Sequence, residues 1–248
     1  MKITVSGWPG AGSSTLTLLL AFVYEFELYQ GGGVFRYIFE KLDLGEFGLE
    51  RIQAQEMIQP TFGKIYDRYI DSLLTDTNFQ NLIIESDIAS FRIGKRADVV
   101  SIFLKADRNK RISRTQVDGR PADGEVMKEI DLSHENEYKK LHNINFYNEE
   151  EIDKKHRLVI DNSNLTIAEE LEKIVEFISK HYDISPKTND FVNLEKEFWS
   201  KGKAYFKEVL AQKNLIPKPD TILKDIKNKF RKDVENLPEF LQEVFSKL

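Results

Sequence analysis

Residues Gly7-Trp8-Pro9-Gly10-Ala11-Gly12-Ser13-Ser14-Thr15 set three glycines and three hydroxyls between a short apolar strand, Ile3-Thr4-Val5, and an apolar helical run from Leu16 to Phe26. The spacing is that of G-x-x-x-x-G-K-[ST], with Ser13 in the lysine position. Such a turn aims successive backbone N–H groups at phosphate oxygens, because no Cβ blocks the approach. A helix beginning near Ser13 adds its own free N–H groups and the positive end of its dipole. The Ser14 hydroxyl stands at the magnesium position of this pattern, with Thr15 beside it. All nine residues are therefore candidates to hold a nucleoside triphosphate. Ser13 offers a neutral hydroxyl where lysine would set a charge between the outer phosphates, so cations from elsewhere have to meet that charge.

Two segments could supply them. Gly31-Gly32-Gly33 precede Arg36, whose guanidinium is suited to a bidentate grip on a phosphate or carboxylate. Arg108, Lys110, Arg111, Arg114 and Arg120 form a second group, in which Arg111 and Arg114 share one helix face. Asp118 to Gly124 follow as a polar stretch suited to a flap that closes over a transferring phosphoryl group. Leu82-Ile83-Ile84-Glu85-Ser86-Asp87 reads as an apolar strand ending in acids, and both Glu85 and Asp87 are candidates to hold magnesium. The histidines show no metal-ligand spacing.

These residues need a scaffold. Strands are expected at Lys2–Ser6, Glu27–Tyr29, Leu82–Glu85, Val99–Leu104 and Leu158–Ile160. Helices are expected near 14–26, 33–41, 48–57, 60–76, 107–117, 134–145 and 166–181. Alternating strands and helices, with three of the strands continuous apolar runs, predict an α/β sandwich around a parallel sheet. Ligands then bind beyond the carboxyl ends of the strands, where the Gly7–Thr15 loop lies. The chain has 248 residues, enough for one core and an appendage. It has no cysteine, which excludes disulfides and thiolate metal sites and fits a cytoplasmic location. No secretory or membrane-spanning run is visible, and the formal charge of −5 gives no reason to expect nucleic acid as a partner.

Residues 185–248 differ in composition. They carry 13 Lys/Arg against 10 Asp/Glu, a net of +3, which leaves −8 in the rest of a chain whose total is −5. Pro186 and the polar residues after it read as a linker. Three amphipathic helices are expected beyond it, the first with Phe191, Leu194, Phe198, Tyr205, Val209 and Leu210 at helical spacing. Packing on the core is the first expectation for these helices, and a surface for a protein partner or self-association the second.

Taken together, the residues resemble the cytidylate kinase family, in particular its archaeal-type branch, over about residues 1–181. That branch has a loop reading G-x-x-G-x-G-T-T-T, matched by Gly7 to Thr15. It has an x-G-G-x-I-F-R-like motif, matched by Gly31 to Arg36. An I-W-L-x-A strand followed by paired arginines is matched by Ile102 to Ala106 with Arg111 and Arg114, and a Y-D-L-V-I-N-T-S segment by Leu158 to Ser163.

The resemblance implies a three-layer P-loop fold of the nucleoside monophosphate kinase type at 1–182, with acceptor-binding helices near 33–77, a lid near 107–145 and a helical extension at 183–248. It implies transfer of the γ-phosphate of ATP to CMP or dCMP with magnesium at Ser14. The acceptor would be held by Gly32, Gly33, Arg36, Asp67, Arg68 and Asp87, with Arg111 and Arg114 as the catalytic cations. The sequence departs from the family at Ser86-Asp87, where relatives have Gly-Arg, and at Glu137, where they have a lid arginine. An acid there suits a hydroxyl or amine acceptor, so a same-fold kinase with another acceptor is the alternative. A non-catalytic nucleotide-binding protein that engages a partner through its C-terminal helices is the other.

Overall fold

In the computed structural model the described residues are 1–44, 56–120 and 122–248. The core is a five-stranded sheet, every neighbouring pair parallel, in the order β2-β3-β1-β4-β5. The strands are β1 Lys2–Gly7, β2 Glu27–Gln30, β3 Leu82–Glu85, β4 Val99–Lys105 and β5 Leu158–Asp161. β1 is central and wholly buried, as a strand covered on both faces must be. Its one charged residue, Lys2, sends its ammonium to the carbonyls of Leu74 and Asp76 at 2.8 and 2.6 Å.

The helices of the first 182 residues are α1 Ser13–Tyr24, α2 Gly31–Lys41, α3 Lys64–Thr75, α4 Ala89–Ile93, α5 Arg108–Val117, α6 Gly124–His142, α7 Glu149–Lys155 and α8 Ile167–His181. A π-helical turn, Gln59–Gly63, leads into α3. The helix expected near 48–57 lies largely outside the described residues. Three expectations change. Gly31 to Gly33 form the first turn of α2 rather than a loop before it. A side chain at Gly31 would press on the Tyr66 ring, with a Cβ only 3.3 Å from it. The lid helix begins at Gly124, not near 134, because Asp123 caps it by accepting the Val126 amide at 2.9 Å. Helix α7, absent from the expectation, is started by Asn148, which accepts the Glu151 amide, with three glutamates in the first turn.

The C-terminal helices are α9 Phe191–Gln212, α10 Pro219–Lys229, α11 Arg231–Glu235 and α12 Glu239–Ser246. Their apolar residues join the core. Phe191, Leu194, Phe198, Phe206 and Leu210 of α9 pack with α1 and α8 on one side of the sheet. Ile222, Leu223, Ile226, Leu241, Val244 and Phe245 pack with α2 and α3 on the other. Between them the chain passes the sheet edge, where the Leu28 amide of β2 donates to the Leu215 carbonyl at 2.7 Å. That contact occupies an edge donor otherwise open to another chain. Among the described residues no helix is long and apolar enough to cross a membrane.

Candidate active site

A cleft of about 1040 Å³ opens beyond the carboxyl ends of the strands, with the Pro9–Leu16 loop along its floor. The loop is built by two left-handed glycines, Gly10 at φ 80° and Gly12 at φ 105°. A side chain at Gly10 would also strike the Arg111 carbonyl, 2.8 Å from its Cβ. Gly12 leads directly into α1, which has neither a side-chain cap nor an acid in its first turn. Among the described residues the amides of Gly10, Gly12, Ser13 and Ser14 donate to no acceptor in the chain. Four amides and an uncapped helix N-terminus around one hollow make an anion cradle.

Glu85, at the end of β3, reaches the start of α1. Its Oε1 accepts the Ser14 hydroxyl at 2.5 Å and the Ser13 hydroxyl at 3.1 Å. Burial pushes the Glu85 carboxyl above its ordinary pKa, and the two serines oppose the rise. A hydroxyl and a carboxylate side by side are hard oxygen donors of the kind magnesium takes with nucleotide phosphates. Among the described residues no cluster of three or more His, Cys, Asp or Glu could hold a metal without such phosphates.

The expected loop residues divide. Pro9 through Thr15 face the cleft. Gly7 lies against β4 instead, where a Cβ would come 2.9 Å from the Leu104 carbonyl. The Trp8 side chain turns away, stacked on Tyr147 with ring centroids 5.6 Å apart. Only the backbone of these two residues serves the loop.

The two lid arginines also part company. Arg114 faces the cleft, donating to the Ala11 carbonyl at 3.2 Å and to Asn162 Oδ1 at 2.8 Å. Asn162 in turn donates to the same Ala11 carbonyl at 2.9 Å and to Glu170 at 3.1 Å. Burial lifts the Glu170 carboxyl to about 7, and its Oε1 has no hydrogen-bond partner. Arg111, by contrast, is 4% exposed, forked onto Asp131 at 2.7 and 2.8 Å and bonded to the Pro9 carbonyl at 3.1 Å. Its guanidinium fixes the loop to the lid helices and does not line the cleft, contrary to the expectation of a cation free to meet the phosphoryl group.

Of the residues expected to hold an acceptor, Gly32, Arg36, Asp67 and Asp87 line the cleft, and Gly33 does not. Arg36 makes no hydrogen bond within the described residues, and the negative charge of Glu85 acts on it. Asp67 sits between Arg92 Nη1 at 2.9 Å and His142 Nε2 at 3.2 Å. Arg92 is wholly engaged by Asp67 and Asp71, which ties α4 to α3. Arg68 leaves the cleft altogether: it pairs with Asp233 of α11 at 3.0 Å and covers the Phe230 ring. The acids Asp87 and Glu137 lie together. Asp87 accepts the Tyr138 hydroxyl at 2.8 Å, and the neighbouring Glu137 carboxyl is pushed up to about 8 by burial and then by the charge of Asp87.

Sequence reasoning missed Tyr138, Glu170 and the residues of α9 that line the cleft, among them Trp199, which is 61% exposed. Asn162 stood within the quoted Leu158–Ser163 motif, without an assigned contact. Glu170 is one residue past the capping box of α8 and carries no signal of its own.

No protein-family model matches the chain. It is 36% identical over 118 residues to a cytidylate kinase of Methanosarcina mazei, covering 47% of this chain and 62% of that one. It is 31% identical over 137 residues to a cytidylate kinase of Methanoregula boonei, covering 54% of this chain and 70% of that one. The match thus spans a little over three-fifths of the Methanosarcina relative's length. Among solved structures, a shikimate kinase from Acinetobacter baumannii superposes at a TM-score of 0.44 with 16% identity, covering 72% of this chain and 93% of that one. The loop, the parallel sheet behind it and the similarity to the Methanoregula protein agree: the chain belongs to the cytidylate kinase family.

Proposed function

We propose that the protein is an ATP- and magnesium-dependent nucleoside monophosphate kinase, acting on CMP or dCMP. The observation that carries this reading is the set of unpaired amides at Gly10, Gly12, Ser13 and Ser14, opening into the same cleft as Arg36. The amides and the α1 N-terminus hold the triphosphate, and Arg36 holds the acceptor phosphate across the cleft. Arg114, anchored on Asn162, faces the phosphoryl group from the lid. Ser14 and Glu85 are the residues that would hold magnesium, whose charge neutralises the phosphate oxygens. No side chain forms a covalent intermediate. Catalysis is positioning and charge stabilisation.

A second reading rests on Asp87 and Glu137. The Asp87 carboxylate on the cleft wall repels a phosphate and attracts a hydroxyl or an amine, with the protonated Glu137 behind it. That favours a same-fold kinase with a different acceptor, and Asp87, which lines the cleft, is the residue that would meet it.

The test is diphosphate formation by the purified full chain with ATP and magnesium against CMP, dCMP, UMP and AMP, with Arg36→Ala beside it. Turnover of CMP that falls in the variant supports the first reading. ATP consumption that none of the four acceptors stimulates, but a hydroxylated or amine acceptor does, supports the second. Inertness toward every acceptor despite ATP binding would sink both.

A further inference from the structure

The C-terminal helices have no counterpart in the family pattern, yet they reach the cleft. Glu195, Phe198, Trp199, Gly202 and Lys203 of α9 line it together with the phosphate loop. Helix α9 is firmly seated there. Phe198 and Phe206 are in the core. Glu195 accepts the amides of Ile167 and Ala168 at 3.3 and 3.1 Å, at the start of α8. The helix breaks at Gly202, which takes φ 76° and ψ 171°, a conformation costly for any residue with a Cβ. Directly after the break comes Lys203.

The Lys203 ammonium lies 2.6 and 2.8 Å from the two oxygens of Asp118, at the end of lid helix α5. Asp118 also receives Arg120 at 3.2 Å. Lys207 follows one turn along the helix, on the same face. Its side chain is exposed and stands outside the cleft lining, with the charges of Arg36, Lys203, Glu85 and Asp118 acting on it. Arg36, Arg120 and Lys203 line the cleft beside the carboxylates of Glu85 and Asp118. Cations set beside unpaired amides are the electrostatic complement of a small polyanion. The loop itself contributes no cation, because Ser13 stands in the lysine position, and Arg111 is committed to Asp131.

We infer that α9 is a wall of the nucleotide site, with Lys203 contacting the phosphates of the bound nucleoside triphosphate and supplying charge that the loop lacks, and Lys207, one turn on, adding to the positive field beside it. This rests on the reading of the cleft as an ATP site. Asp118 holds Lys203 in place and competes with the phosphates for it. A rigid helix fixes both lysines more tightly than a loop would.

The experiment is calorimetric titration of the full chain, and of Lys203→Gln, Lys207→Gln and Lys203→Arg, with ATP and separately with adenosine, which has the base but no phosphate. Thermal unfolding of each variant is followed in parallel. Both lysines lie outside the core, so the fold is expected to persist. The expected result is an ATP Kd raised about tenfold in Lys203→Gln, the equivalent of about 1.4 kcal/mol for one charge-assisted contact, and raised less in Lys207→Gln, with adenosine binding unchanged and ATP affinity largely kept in Lys203→Arg. ATP affinity unchanged in Lys203→Gln would overturn the inference, as would equal weakening of ATP and adenosine. A parent protein that binds no ATP would instead overturn the reading of the cleft itself, and this inference with it.

Discussion

The guanidinium of Arg111 and the carboxylate of Asp131 meet as a buried fork at 2.7 and 2.8 Å, and Tyr147 donates to the same carboxylate at 2.7 Å. Removing one partner leaves an uncompensated charge away from water. Arg111→Ala is expected to lower stability by about 3–5 kcal/mol, read by denaturant unfolding. Arg114→Ala, which breaks no buried ion pair, is expected to cost less stability and more turnover. The opposite ranking would show that Arg111 and not Arg114 faces the phosphates.

Glu137 ties stability to pH. Among the described residues neither of its oxygens has a hydrogen-bond partner, and burial lifts the carboxyl from 4.5 to about 8. Between those values the folded chain holds a proton that the unfolded chain has released. Unfolding therefore releases a proton, and rising pH favours it. The stabilising effect of the bound proton is full below about pH 4.5 and is lost as pH rises toward about 8. Glu137→Gln, neutral throughout, is expected to flatten the fall in unfolding free energy between pH 5 and pH 8.5. An unchanged slope would place the titration elsewhere.

Glu85 accepts both loop serines, so its charge orients the Ser14 hydroxyl. Glu85→Gln is expected to raise the magnesium concentration for half-maximal activity by about 10–100-fold, the usual range for a group that supports a metal ligand. Binding of ATP without magnesium is expected to change little. Equal losses with and without the metal would argue that Glu85 supports the loop rather than the ion.

The C-terminal helices complete both sides of the core. Phe206 is fully buried against Phe22 and Phe198. Phe206→Ala is expected to cost about 3–5 kcal/mol. A chain ending at residue 182 is expected to aggregate, because it exposes the α1 and α2 faces that these helices cover and frees the Leu28 amide on the sheet edge. A monomeric truncated chain with an unshifted melting temperature would show the extension to be dispensable.

The sequence by itself determined the local devices. The strand–loop–helix at the N-terminus was legible because each step is short-range: apolar residues for a buried strand, glycines for positive φ, hydroxyls at the helix start. The five strands fell within a residue or so of their expected ends, since a doubly covered parallel strand is mostly a short apolar run, as in β3 and β4. One misplaced helix start and one missed helix had readable N-caps, Asp123 and Asn148. Tertiary structure alone decided which cations serve the cleft. Arg111 and Arg114 share a helix face, and periodicity cannot separate them. A carboxylate on α6, Asp131, draws one guanidinium inward and leaves the other at the phosphate loop. Asp233 of α11 likewise pulls Arg68 away from the cleft. Lys203 reaches Asp118 only because the apolar stripe of α9 docks beside α1 and α8. Charged side chains are long and nearly free of local preference, so their direction is set by partners distant in the chain.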